Sequence, residues 1–239
     1  MIKDLTDIIN SEMGKTAVVC GLGPSLGESI EWIKNNEKEL TVISCNDVDK
    51  VTNLFPNYWV FANSIDTIQK MSDRVSNYPD SVVVHADSVD STPREWIINN
   101  FKSNVYVGYD QRHFNNQKCP NCANGCANLV NGRKTIQELL QNYTNYDKLY
   151  GTGDTVAVHM LSLAILLGCK KIYITGVDLD YSKGYYNSNL INHDSFNPYL
   201  NSIISDFKTI NDSAKKLGVE IINLSVDSVL STILKTESV

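Results

Sequence analysis

Apolar residues gather in short unbroken runs, separated by longer stretches of helical spacing. Thr16–Cys20 (TAVVC) is such a run and leads straight into glycines, the pattern of a strand buried on both faces. Residues 41–45 (TVISC), 58–62 (YWVFA), 81–85 (SVVVH) and 104–107 repeat it, as do Lys171–Thr175 (KIYIT) and 219–223 (VEIIN) further on. Between them lie helical patterns over Leu26–Asn36, 65–75, 93–101, 155–167, 200–217 and 226–234. Strands and helices alternating at this spacing predict βαβ units. The predicted fold class is α/β: a Rossmann-like, doubly wound, mostly parallel sheet with helices on both faces, in a single domain over residues 1–239.

Two stretches break the rhythm. Residues 109–133 are rich in Asn, Gly and Cys and carry neither period, which predicts a long loop or lid insertion. Residues 176–198 follow a strand directly, where open parallel sheets place their ligands, and they hold Asp178, Asp180, Tyr181, Tyr185, Tyr186 and His193.

Composition narrows the class without naming a function. The 239 residues are 42% apolar and 20% charged, which excludes a disordered or fibrous chain. A net charge of −6 argues against a general nucleic-acid binder, which needs a basic face. No apolar run reaches the roughly 20 residues of a membrane span, and the first fifteen residues lack signal-peptide character. Six cysteines are too few and too clustered for a disulfide-stapled scaffold, so a cytoplasmic location is expected.

The first chemical signal is Gly21-Leu22-Gly23-Pro24-Ser25-Leu26-Gly27, directly after the first strand. Glycines admit a ligand close to the backbone, and the following helix directs N–H groups and its positive dipole end at an anion. Ser25 is placed as an N-cap or a phosphate donor. The spacing is neither the dinucleotide fingerprint nor a P-loop, and a plain tight turn is the competing reading. A second turn, Gly151-Thr152-Gly153, precedes another helix and offers the same kind of cradle, with Thr155 close behind.

The order GLGPSL, then Cys45-Asn46, then Ala62-Asn63-Ser64, each at a strand end, resembles the nucleotide-sugar half of bacterial lipooligosaccharide sialyltransferases. The later segment Leu167-Gly168-Cys169-Lys170-Lys171-Ile172-Tyr173-Ile174-Thr175-Gly176-Val177-Asp178-Leu179-Asp180-Tyr181 is similar both to those enzymes and to the MptE-like family. That family includes 6-hydroxymethylpterin pyrophosphokinases and motility-associated flagellin glycosyltransferases. The resemblance covers roughly residues 16–65 and 150–234, and the middle from about 81 to 147 has no counterpart in it.

The sialyltransferase resemblance implies a CMP-activated donor held by Gly21, Gly23, Pro24, Ser25, Asn46, Asn63, Thr152, Gly153 and Asp178. A carboxamide suits this work because it donates and accepts without adding charge, although a strand-end Asn can instead cap the next helix. The resemblance further implies His193 as general base toward an acceptor hydroxyl, with Tyr181 and either Tyr185 or Tyr186 assisting the leaving phosphate. The acceptor would be a glycan or a protein, and self-association is left open. The MptE-like resemblance implies a rival, a pyrophosphokinase using Mg²⁺ and ATP. There Asp178 and Asp180 would converge on the metal, whereas otherwise they split between ligand and backbone. A non-catalytic nucleotide-binding module is the third reading.

His113, Cys119, Cys122 and Cys126 form a separate constellation inside the long loop. A Cys-x2-Cys pair with a third thiol and a nearby His can close a tetrahedral structural zinc site, which would supply the order that loop lacks. Free thiols, a disulfide or an iron–sulfur site are the alternatives. Cys20, Cys45 and Cys169 read as small buried hydrophobes, and His159, inside an apolar helix, as a core residue.

Overall fold

The computed structural model describes residues 2–3, 5–61, 74–75, 82–87, 105–109, 155–180, 182, 184–187 and 200–239. Among these residues nine strands form one sheet: β1 (Ile2–Lys3), β2 (Thr16–Cys20), β3 (Leu40–Cys45), β4 (Tyr58–Phe61), β5 (Val82–Asp87), β6 (Val105–Tyr109), β7 (Lys171–Thr175), β8 (Glu220–Asn223) and β9 (Lys235–Thr236). Their order is β1-β6-β5-β4-β3-β2-β7-β8-β9, and all eight pairings are parallel. The helices are α1 (Leu26–Asn36), α2 (Val48–Thr52), α3 (Val156–Leu166) and α4 (Leu200–Lys216) among the described residues. The α/β, Rossmann-like reading of the sequence is the observed fold.

The alternating side chains of the central strands explain why both faces are covered. Val18 and Cys20 of β2 point into one core with Leu26, Ile30 and Ile33 of α1. Ala17 and Val19 point into the other, with α3 and α4. A strand apolar at every position needs such double cover. Helix α3 buries every residue from Ala157 to Leu166 between the sheet and α4, which is why it is apolar all round.

From β2 the chain winds outward through β3, β4, β5 and β6. It then returns to lay β7 on the other flank of β2 and continues to β8 and β9. The loops after β2 and β7 therefore diverge from neighbouring strands. That is the switch point where open α/β sheets form their crevice.

Three features differ from the sequence reading. The two-residue edge strands β1 and β9 are too short to leave a periodic signal, as is α2. The helix expected over 226–234 is only a 3₁₀ turn, Val229–Thr232. Ser228 sets that limit: its hydroxyl donates to Val177 O at 2.8 Å and accepts Leu230 N–H, so the turn begins late and must unwind before β9. The helix expected over 93–101, most of that over 65–75, and the loop of 109–133 lie outside the described residues, except that Tyr109 ends β6. Of the 65–75 segment, Arg74 and Val75 are helical, and Arg74 forks onto both carboxylate oxygens of Asp49 (2.9 and 2.6 Å) and onto Asp47 (2.7 Å). This guanidinium ties the segment to α2, directly beyond Asn46.

Candidate functional site

A cleft of about 210 Å³ opens at the switch point. One wall is Gly21–Pro24 after β2 and another is Gly176–Asp180 after β7; Asn46 follows β3, and Thr155, Ala157 and Met160 come from the start of α3. Tyr185 completes the rim. The N-terminal end of α3 thus faces the cleft and contributes the positive end of its dipole there.

The glycine turn has a different job from the one its composition suggests. A Cβ on Gly21 would lie 2.2 Å from Gly176 O, and one on Gly23 would lie 2.1 Å from Asp178 Oδ2. A Cβ on Gly27 would meet the Tyr186 ring at 2.8 Å. The three glycines let the β7 loop pack onto the turn. Most of the turn's N–H groups are spent inside the protein as well. Gly21 N–H donates to Thr175 O, Gly23 N–H to Gly176 O and Ser25 N–H to Asp178 Oδ2. Leu26, Gly27 and Glu28 close tight i→i+3 bonds to Gly23, Pro24 and Ser25. The expected cradle of free amides is therefore corrected: in this turn the amides hold protein, and the first turn of α1 offers no row of open donors.

Ser25 is corrected in the same way. Its side chain makes no capping bond to α1 and does not line the cleft. It is buried beneath the turn, where its oxygen accepts from Gly176 N–H (3.2 Å) and from the Ser225 hydroxyl (2.7 Å). Gly21, Gly23 and Pro24 do line the cleft.

Asn46 lies at the cleft end of β3. It is no cap, because the N-cap of α2 is Asp47 and no side chain bonds there. Its backbone is left-handed (φ +48°), a conformation that asparagine tolerates better than most residues, and its carbonyl accepts Trp59 Nε1–H at 3.0 Å. The side chain lines the cleft, and its Oδ1 is buried without a hydrogen-bond partner. An unsatisfied buried acceptor costs about 1–3 kcal/mol, which a donor brought by a ligand would recover.

The two aspartates split. Asp178 accepts from Ser25 N–H at 3.2 Å, while Asp180 Oδ1 accepts from the Ser182 N–H (3.1 Å) and hydroxyl (2.5 Å). Leu179 between them is left-handed (φ +58°), which turns the two carboxylates apart. No group of three or more His, Cys, Asp or Glu side chains is placed to hold a metal among the described residues. Of the tyrosine alternatives, Tyr185 lines the cleft, whereas Tyr186 bonds Leu22 O through its N–H and packs on Gly27.

Thr155 caps α3, accepting from Ala157 N–H at 3.3 Å, and lines the cleft with its neighbours. Cys45 lines it too, but burial pushes its thiol up to about 12, so it offers no thiolate nucleophile near neutral pH. Cys20, Cys45 and Cys169 are free thiols and buried, and His159 is buried within α3. Tyr181, His193, Asn63, Thr152, Gly153, His113, Cys119, Cys122 and Cys126 lie outside the described residues. Sequence reasoning passed over Leu179, Met160 and Cys45; a leucine forced into a left-handed turn leaves no signal in a sequence.

With that geometry in view, a family model described as 6-hydroxymethylpterin diphosphokinase MptE-like matches residues 1–184. The chain belongs to the MptE-like family. Comparison with curated proteins finds no match. Among solved structures, the sialyltransferase CST-II in complex with a trisaccharide acceptor and CMP is similar at 16% identity, over 93% of this chain and 86% of that one (TM-score 0.56). CstII from Campylobacter jejuni with cytidine-5'-monophosphate is similar at 18% identity, over 94% and 85% (TM-score 0.53). The MAf glycosyltransferase from Magnetospirillum magneticum AMB-1 shares 15% identity over 99% of this chain and only 38% of its own length (TM-score 0.57). At these identities the likeness is one of fold. No helix among the described residues is long and apolar enough to cross a membrane.

Proposed function

We propose that this MptE-like protein is a glycosyltransferase of the sialyltransferase type, moving a nonulosonic acid from a CMP-activated donor to a glycan or protein acceptor. The observation that carries the reading is Asn46: a left-handed, cleft-lining asparagine whose buried Oδ1 has no partner. It suits the hydroxyl or amino donors of a nucleotide. Gly21, Gly23 and Pro24 wall the same cleft, Thr155 and the N-terminal end of α3 supply its polarity, and Asp178 is set beside the turn. Asn63, Thr152 and Gly153 complete the donor site in this reading.

The reaction is an inverting displacement. His193 takes the proton of the acceptor hydroxyl as that oxygen bonds the anomeric carbon of the sugar. CMP departs with the electron pair of the broken C–O bond, and the hydroxyls of Tyr181 and Tyr185 donate to its phosphate. Stabilising that departing charge with preorganised donors supplies much of the rate in reactions of this type.

The family description favours a second reading, diphosphate transfer from ATP to a pterin alcohol. That chemistry depends on Mg²⁺ to neutralise phosphate oxygens. Asp178 and Asp180 are its ligand pair by sequence, yet each is turned to a different neighbour, so the described residues do not fit that metal well. A thermal-shift panel of CMP, CDP, UDP, ATP and GTP, each with Mg²⁺ and with EDTA, separates the readings. Stabilisation by CMP that persists in EDTA supports the transferase. Stabilisation by Mg-ATP alone supports the kinase, and none at all points to a non-catalytic module.

A further inference from the structure

Outside the cleft, a buried polar cluster runs from the last residue of β8 into the segment that follows it. Asn223, Ser225 and Ser228 are each at most 2% exposed. Asn223 grips Ser225 at both backbone groups: its Nδ2 donates to Ser225 O at 2.7 Å, and its Oδ1 accepts Ser225 N–H at 3.2 Å. So held, the Ser225 hydroxyl donates to Ser25 Oγ at 2.7 Å. Ser25 is the residue whose N–H meets the cleft carboxylate of Asp178, and whose oxygen also receives Gly176 N–H. Three residues on, Ser228 fastens Val177 O.

Together these bonds run from β8 to both walls of the cleft. Burying three polar side chains costs free energy unless each is satisfied, and an apolar residue would fill the Ser225 position without that requirement. What a satisfied network supplies is one fixed arrangement of the groups it joins. Here the joined groups are the glycine turn and Gly176–Asp178, which meet directly through Ser25 Oγ on Gly176 N–H and Asp178 Oδ2 on Ser25 N–H. The segment also lies beyond residue 184, where the family match ends.

We propose that Ser225, oriented by Asn223, is a positioning residue for the nucleotide site: through Ser25 it sets the turn and the Asp178 carboxylate against which the donor binds. The inference rests on the CMP-binding reading above. It has no contact of its own with the ligand, so its effect must pass through Ser25.

Isothermal titration of CMP into the full chain tests it. Ser225→Ala is expected to lower CMP affinity about tenfold, the effect of one buried hydrogen bond lost from a preorganised site. Ser225→Cys keeps the side-chain volume with a weaker donor and falls between the two, which also covers the case in which the alanine variant does not fold. In a Ser25→Ala background, Ser225→Ala is expected to add no further loss, a pattern that general destabilisation would not produce. Equal CMP affinity in the wild type and both Ser225 variants overturns the proposal, as do fully additive losses in the double variant. A wild type that binds no CMP at all overturns the donor reading itself, and this inference falls with it.

Discussion

Gly21→Ala is expected to lower the melting temperature by roughly 10 °C, the largest single loss at this site. The added Cβ would lie 2.2 Å from Gly176 O, 2.7 Å from Gly176 C and 2.9 Å from Val177 Cγ2, inside the 3.0 Å that real Cβ contacts respect. Two of these are backbone atoms on the adjoining strand end, so no rotamer relieves them. Gly176 is itself left-handed (φ +66°) with Gly21 O at 2.5 Å from its own Cβ position, so the partner cannot easily retreat. Overpacking of this kind costs about 3 kcal/mol, and each kcal/mol is worth about 2–4 °C in a domain of this size. Gly23→Ala makes the informative contrast. Its Cβ collides chiefly with Asp178 Oδ2, a side-chain tip that can swing away, and its one close backbone contact, Gly176 O at 2.9 Å, is only just inside the 3.0 Å limit. That variant should keep most of its stability while losing nucleotide binding. Calorimetry on both decides, and a Gly21→Ala protein melting within 2 °C of wild type, by the scale just cited, would show the turn packs otherwise.

Asn46→Gly is expected to cut transfer activity by about 10²-fold, the loss typical when one preorganised polar group is removed from a reaction site. Glycine is the right replacement because position 46 has φ +48°, where alanine would add strain of its own. Stability should hold or rise, since the substitution deletes a buried acceptor that has no donor. Activity falling while the melting temperature does not is the mark of a group kept for its ligand. A variant with full kcat/KM would remove Asn46 from the site, and one that lost several degrees in proportion to activity would make it structural.

The sheet was legible because its central strands run apolar on both faces instead of alternating, a pattern that double burial requires. The glycine turn was legible as a place but not as a device. Gly21, Gly23 and Gly27 announce close approach, yet nothing in the string says whether a ligand or the loop after β7 comes close. That depends on β2 and β7 being neighbours, a fact of topology. Ser25 misleads for the same reason, since its real partner, Ser225, lies 200 residues away. Asn46 was flagged by resemblance with capping as its rival, and only the backbone geometry and the unpartnered oxygen separate the two. The helix expected over 226–234 failed because its apolar spacing hid Ser228, whose hydroxyl is claimed by Val177 O.

The most direct measurement is release of CMP from a CMP-activated nonulosonic acid by the purified protein in the presence of EDTA. Release that persists without metal and falls about 10²-fold in Asn46→Gly is the expected result. No CMP release, together with Mg²⁺-dependent AMP formation from ATP and 6-hydroxymethylpterin that EDTA abolishes, would contradict it.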